Sequence, residues 1–354
     1  MRRMMRLLAL SLLLLLLARQ LCMIHAVRAE TVIRLSFAGD VTLGSEEKVR
    51  SKGYSLDSFA KVYGDDYFFA KVRKTFEQDD LTIVNLEGVL SDSSEGENTK
   101  KTYRFRGPTA FARILPAGSI EMVNLANNHT MDYGERGLED TKCALDSVGV
   151  MHFGGCDVKI IEIKGVKLAF FGLSYSDMRR ADREWAAQEI RRLETEEGVS
   201  AVIFTFHAGR EYSEARTPDQ QKYAKEIIAA GADLVVMHHP HVVQGMSVFD
   251  QRSVLYSLGN FCFGGNKNVR AMEALVAVAE LTFSDTGEYL GQQITLLPAY
   301  ISGTQPRSNY QPHLVTGKDA RRVMRLVQAD TRFKLNAVED ETGAAVQEYL
   351  PADR

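Results

Sequence analysis

The feature that most constrains this chain is the steady exchange of short apolar runs for amphipathic ones along most of its 354 residues. β-Branched and aromatic runs occur at 31–38, 81–84, 120–125, 167–172, 201–206, 234–237 and 254–257, and helical patterns lie between them at 56–78, 135–148, 181–197 and 218–230. Short apolar runs with little alternation read as strands buried on both faces, and helices placed between such strands cover the sheet. The expected fold is α/β, a layered α/β sandwich with a central sheet covered by helices. Beyond Phe263 the pattern changes to two longer runs, 273–283 and 292–301, which read as a C-terminal β-hairpin on the edge of the sheet. A charged helix near 318–328 and a polar tail follow. The expected divisions are a leader at 1–29, the main domain at 30–263, the hairpin at 264–303 and a partly helical tail at 304–354.

The N-terminus decides which residues belong to the folded protein. Arg2, Arg3 and Arg6 precede an apolar stretch, Leu7 to Ala18, and Val27-Arg28-Ala29 places small residues where a signal peptidase reads them. That order marks a secretory signal cleaved after Ala29, with an apolar core shorter than the roughly 20 residues of a membrane span. An uncleaved anchor is the alternative reading. Export would place the protein in the periplasm or at the cell envelope. The whole chain carries a formal charge of −3, and loss of the five leader arginines lowers it to −8. With no basic stripe interleaved with aromatics, nucleic acid is not an expected partner. Cys143, Cys156 and Cys262 remain, an odd number that argues against a disulfide framework, although a single Cys143–Cys156 bridge is open outside the cell.

The polar groups fall where the strands end. The first run closes in Gly39-Asp40, the second in Asn85-Leu86-Glu87, the third in Asn127-Asn128-His129, the fifth in His207 and the sixth in His238-His239-Pro240-His241. Ligands bind at the carboxyl edge of open α/β sheets, so one pocket could collect these side chains. Downstream of the leader the chain has seven histidines, and five lie in these segments. Carboxylates, an amide oxygen and imidazoles without thiolates suit manganese, zinc or iron, one ion or two, and two such ions can clamp a phosphoryl transfer.

Each residue alone has a plainer reading. Asp40 could cap a turn, Glu87 could be a solvated turn residue, Asn128 could cap the helix that follows, and His129 could be a hydrogen-bonded core histidine. His207 closes a wholly apolar run and is harder to place at the surface, while His239 and His241 flank Pro240 in a rigid turn, so ligation is the better reading for these three. His238 points away from its neighbour on an extended chain and reads as supporting structure. Rival signatures are weak: no glycine-rich dinucleotide loop or lysine phosphate loop appears, and Gly172-Leu173-Ser174-Tyr175-Ser176 lacks the closing glycine of a nucleophile elbow. A glycosidase pair of carboxylates would leave the histidines without a role.

Together these segments resemble the bacterial capsule-synthesis CapA proteins, also called poly-γ-glutamate biosynthesis PgsA-like proteins, of the calcineurin-like metallophosphatase superfamily. The matching stretches are Phe37-Ala38-Gly39-Asp40-Val41, Asn85-Leu86-Glu87, Ala126-Asn127-Asn128-His129 with Asp132 and Gly134, His207-Ala208-Gly209-Arg210-Glu211-Tyr212, Gly231-Ala232-Asp233, His239-Pro240-His241 and Tyr256-Ser257-Leu258-Gly259-Asn260-Phe261. The resemblance implies a metallophosphatase-like layered α/β sandwich and an envelope role in making an anionic polymer. Its substrate would be that polymer or a phosphoester, with a membrane-bound polymer synthesis complex as a further partner. A non-catalytic component of that complex, binding through the same pocket, is the alternative. It also implies divalent metal held by Asp40, Glu87, Asn128, His207, His239 and His241, with His129 protonating a leaving oxygen. Asn85, Arg210, Glu211, His238 and Asn260 would line or support the pocket. The superfamily's first motif has a histidine where Thr42 stands here, and its bridging aspartate is replaced by Asn85-Leu86-Glu87.

Overall fold

The computed structural model describes residues 30–175, 180–265 and 268–352, so the expected leader lies outside the described residues. Where one central sheet was expected there are two, of ten and six strands. The first is built on β1 (Thr31–Thr42), β2 (Leu81–Leu86), β3 (Met122–Asn124) and β4 (Met151–Phe153), parallel neighbours in that order. The second holds β5 (Lys159–Ile163), β6 (Val166–Ser174), β7 (Ala201–His207), β8 (Leu234–His238), β9 (Met246–Phe249) and β10 (Arg252–Leu255), in the spatial order β9-β10-β8-β7-β6-β5. β6, β7, β8 and β10 run parallel. The chain then returns to the first sheet as β11 (Asn260–Phe263), parallel to β1, and as the antiparallel pair β12 (Glu273–Phe283) and β13 (Tyr289–Tyr300).

Side-chain parity shows why the sheet divides. Ile203 of β7, Leu234 and Val236 of β8 and Leu168 and Phe170 of β6 share one core with Leu35 and Phe37 of β1 and Ile83 of β2. The alternate residues, Phe171, Val202, Phe204, Val235 and Met237, pack instead with helices α3 (Arg180–Thr195) and α4 (Pro218–Ala230) through Ile190, Leu193, Ala224 and Ile227. On the far side of the first sheet, Val84, Leu86 and Val123 meet α1 (Leu56–Tyr63) and α2 (Gly134–Ser147). The layers run helix, sheet, sheet, helix. A strand buried on both faces reads the same in one sheet covered by helices as in two sheets stacked on each other, and only the partner of each face tells them apart.

The expected hairpin extends the first sheet beyond β1, and its outer strand β13 meets only two-residue strands on the far side. β12 pairs antiparallel with β1 from Thr31↔Phe283 to Ala38↔Val276, and ten of its eleven residues are buried. The last helix, α5 (Gly317–Ala329), forms where expected and sets Ala320, Val323 and Val327 into the core between the sheets. The helix expected over 56–78 breaks after Tyr63, because Gly64 takes φ 79°, ψ −179°, a conformation nearly closed to residues with a Cβ. The chain then folds back to bury Phe68, Phe69, Val72 and Phe76. α4 begins with Pro218 behind a capping box in which Thr217 Oγ1 accepts from Gln220 N and Gln220 Oε1 accepts from Thr217 N, which fixes the exit of the long loop after β7.

Candidate metal centre

Asp40, Asn85, His207 and His238 lie within the last residues of their strands rather than beyond them. β1 runs past Ala38 because Asp40 pairs with Asn85 on one side and with Asn260 on the other. That register needs a close approach. A Cβ on Gly39 would fall 2.0 Å from the carbonyl oxygen of Gly259, and Asp40 N–H donates to that same oxygen at 2.9 Å. Glycine at 39 thus places the first carboxylate.

The ligand candidates come from both sheets and meet between them. Asp40, Glu87, Asn128 and His129 arrive from β1, β2 and the loop after β3, whereas His207, His239 and His241 arrive from β7 and the turn after β8. Asp40 is fully buried, and its Oδ1 accepts from Asn85 Nδ2 at 2.8 Å. Its Oδ2 lies 3.1 Å from His241 Nδ1, and His238 Nδ1 is 3.4 Å from Oδ1. Burial acts to raise this carboxyl, but the contacts with His238 and His241 outweigh it and hold Asp40 well below the usual carboxylate range.

Asn85 is the hub of the cluster. Its amide nitrogen donates to Asp40 and faces His207 Nδ1 at 3.2 Å, and its oxygen accepts from Asn124 at 2.9 Å and Asn127 at 3.3 Å. With Nδ1 engaged, His207 directs Nε2 at Asn128 Oδ1, 2.8 Å away, and at His239 Nδ1, 3.1 Å away. Asn128 therefore does not cap a helix: α2 has Tyr133 at its N-cap, and the Asn128 amide oxygen is turned to the centre. Burial pushes the His207 and His239 imidazoles below the ordinary histidine value, with nearby imidazoles adding to the effect, so both rings are held neutral, the form in which they ligate metal.

His239 and His241 occupy φ 101° and 58°, left-handed backbone uncommon for residues other than glycine. The turn is braced by Tyr212 N–H, which donates to Pro240 O at 2.8 Å. His241 Nδ1 is 2.9 Å from Asn260 Oδ1, which leaves Nε2 turned toward Glu87 Oε1 at 3.8 Å. Burial opposes charge on His241, but Glu87 and Asp40 prevail and raise it to about 9.

Glu87 supplies the decisive observation. It is fully buried, and neither carboxylate oxygen has a hydrogen-bond partner among the described residues. Around Oε1 stand the Nε2 atoms of His129, His207 and His241 at 3.7, 3.9 and 3.8 Å. Burial, reinforced by Asp40, Asp132 and Glu211, raises this carboxyl to about 8 despite the opposing pull of His241. A buried carboxylate without partners is costly. Bonds of about 2.0–2.2 Å from a metal to nitrogen and oxygen would set neighbouring ligand atoms roughly 3–4 Å apart, the spacing seen here. Two groups of side chains could hold a cation, Asp40 with Glu87 and His207, and Glu211 with His239 and His241, each with its ligand atoms within 4.8 Å of one another. Glu211, expected only to line the pocket, thus stands within ligand reach, although exposed.

His129 is set apart from the other imidazoles. Its Nδ1 lies 2.7 Å from Asp132 Oδ2, its ring packs on Phe105 with centroids 4.4 Å apart, and Nε2 faces the centre. Burial lowers its pKa against the opposing effect of Asp132. Asp132 also pairs with Lys101 and accepts from Phe105 N at 2.8 Å, and Lys101 Nζ reaches Asn128 O at 2.6 Å. In the sequence Asp132 belongs to a matching motif without a role of its own, and Lys101 ends the stretch 91–101, whose Ser, Glu, Asn and Lys content reads as an exposed loop. The spacing of three residues from His129 to Asp132 is the one signal there that could have joined them. Arg210 is exposed and joins no ion pair among the described residues, so it is not drawn into the ligand cluster. Thr42 is buried, and its hydroxyl has no hydrogen-bond partner among the described residues. Cys143 and Cys156 are free, exposed thiols, and Cys262 is buried.

Stacked sheets flanked by helices, with buried carboxylates and imidazoles gathered at the carboxyl ends of the strands, define a layered α/β protein built around a cluster of side chains that could hold a metal. Residues 34–265, well over half of the chain, match the family of bacterial capsule synthesis proteins, PGA_cap. The chain belongs to that family. It is similar to the capsule biosynthesis protein CapA of Bacillus anthracis, 26% identical over 86% of this chain and 75% of that one. The PGA biosynthesis protein CapA of Bacillus subtilis is 28% identical over 66% of this chain and 64% of its own length. A protein of Mycobacterium tuberculosis named as a probable polyglutamine synthesis accessory protein is 24% identical over 73% of this chain and 72% of its own.

Proposed function

We propose that this protein is an exported, metal-dependent hydrolase of the phosphatase type that serves the making of an anionic envelope polymer, cleaving a phosphoester or a linkage of the polymer. The observation that carries the reading is Glu87, a buried carboxylate with no hydrogen-bond partner among the described residues, ringed by three imidazole nitrogens. Asp40, Glu87, Asn128, His207, His239 and His241 would hold manganese, zinc or iron, with Glu211 in reach of the last two. Bound there, such an ion supplies Lewis acidity and lowers the pKa of a water. The protein's own part is positional. Asp132 accepts from His129 Nδ1 and favours the protonated ring against the effect of burial; in that form Nε2–H faces the pocket and can pass its proton to a departing oxygen. Asn260 and Asn85 fix the ring orientation of His241 and His207. The envelope role and the polymer are supported by the leader's composition and by what the relatives are named for. No helix among the described residues is long and apolar enough to cross a membrane.

The test is metal analysis of the mature protein together with hydrolysis of p-nitrophenyl phosphate and of poly-γ-glutamate in added manganese or zinc. Both metal and turnover should be lost in His241→Ala. Metal-loaded wild type that is inert on every phosphoester and polymer offered would sink the reading. Thr42 favours a second one: a threonine stands where the superfamily places a histidine ligand, as expected of a pocket that holds a polymer without cleaving it. Normal polymer in cells carrying His129→Ala would support binding over hydrolysis.

A further inference from the structure

The centre carries three acidic groups, Asp40 and Glu87 buried and Glu211 exposed beside His239 and His241, and positive charge at the rim would help an anionic substrate approach it. Arg270 is exposed there, with its guanidinium carbon 5.0 Å from the centroid of the Tyr212 ring. It also rests against Tyr103, which is 47% exposed. Tyr212 is itself bound to the metal turn: its backbone is left-handed at φ 58°, its N–H donates to Pro240 O at 2.8 Å, and its ring centroid is 6.0 Å from that of His241. One aromatic ring therefore separates Arg270 from a candidate metal ligand.

Among the described residues, no carboxylate lies within ion-pair distance of Arg270. Arg34, Arg50, Arg104, Arg106, Arg113 and Arg252 each hold an acidic partner, whereas Arg270, like Arg210, holds none among the described residues. Arg270 also hydrogen-bonds to Tyr212 and Tyr103, which holds its planar fork in place, and a guanidinium with five N–H donors keeps others to offer a carboxylate or phosphate. The stack of Arg307 on Tyr54 at 3.9 Å shows that such pairs also occur in this protein as surface packing. What sets Arg270 apart is that its ring lies beside that of His241.

We propose that Arg270, held on Tyr212, is a specificity-determining residue that seats an acidic group of the substrate, a carboxylate or a phosphate, at the mouth of the metal centre. This rests on the reading of that centre as the place where substrate is processed. The experiment uses the metal-loaded mature protein and two probes in separate titrations, a γ-linked glutamate hexamer and a linear polyphosphate of similar charge. Wild type binds at least one probe, and Arg270→Gln weakens that binding about tenfold or more, with metal content and melting temperature unchanged. Arg270→Lys recovers part of the loss, because it restores charge without the fork. Where turnover is measurable, the effect of Arg270→Gln falls on KM rather than kcat. Whichever probe binds assigns the acidic group. Binding of Arg270→Gln within twofold of wild type overturns the proposal, and so does a wild type that binds neither probe. Failure of the hydrolase reading looks different: turnover is absent from the metal-loaded enzyme while Arg270-dependent binding persists.

Discussion

Replacing Glu87 by glutamine should stabilise the metal-free protein and cripple the metal-bound one. In the metal-free fold the Glu87 carboxyl is raised from 4.5 to about 8, mainly by burial. A carboxyl with a raised folded-state pKa costs nothing below its unfolded value and removes stability progressively as pH climbs from about 4.5 toward 8. Raising a carboxyl by one pH unit corresponds to about 1.4 kcal/mol, so ionised Glu87 costs at most roughly 4–5 kcal/mol at pH 8. Some of that is returned, because the same charge helps to raise His241 to about 9. A net gain of about 2 kcal/mol at pH 8 is the working figure for Glu87→Gln, and near pH 4.5 the two proteins should be equally stable. For a domain of this size that is a rise of several degrees in melting temperature. The assay is urea unfolding in chelator at pH 5 and pH 8, repeated with excess manganese or zinc. With metal present the order reverses, since wild type gains stability in proportion to ligand affinity and the amide offers no charge to the ion. A variant less stable than wild type at pH 8 in chelator, or a difference that does not change with pH, would refute the account of Glu87 as a carboxylate held without a partner.

Two further outcomes follow from the contacts around the ligands. Asn260→Leu removes the oxygen that fixes His241 Nδ1 at 2.9 Å, and metal affinity measured by competition with a chelating dye should drop about 10- to 100-fold with little change in the unfolding midpoint in chelator. Asp132→Asn leaves His129 in place but exchanges a carboxylate for an amide at 2.7 Å, so kcat on a phosphoester should fall on the order of 100-fold or more with metal content and KM retained; an unchanged kcat would remove His129 from proton transfer.

Most strands are legible in the sequence because their residues are apolar on both faces. Val202, Phe204 and Phe206 alternate with Ala201 and Ile203, and both sets are buried, so the run at 201–206 is visible whichever layer each face meets. The same property hides the second sheet, because nothing in Ala201–His207 says whether Ile203 faces a helix or another strand. The hairpin does extend the sheet on the far side of β1, and the run 273–283, apolar almost throughout, is the inner of its two strands, as its composition requires. In the centre, Glu87, His207, His239 and His241 stand out locally, each a polar residue closing a buried run. Lys101 carries no such mark. It lies in a polar loop, and its role exists only because that loop folds back 28 residues from His129 to reach Asn128 and Asp132. Gly64 and Gly39 show the two faces of glycine in this chain: one ends a helix that periodicity alone would have continued, and the other admits a backbone crossing that no pattern announces.

That the coordinating atoms are shared between the two sheets has a mechanical consequence. A cation held there would tie one half of the sandwich to the other, so its loss would loosen both at once, and sliding of one sheet against the other would first disturb its coordination. Occupancy and the alignment of the halves would in this sense be one variable, read from either side.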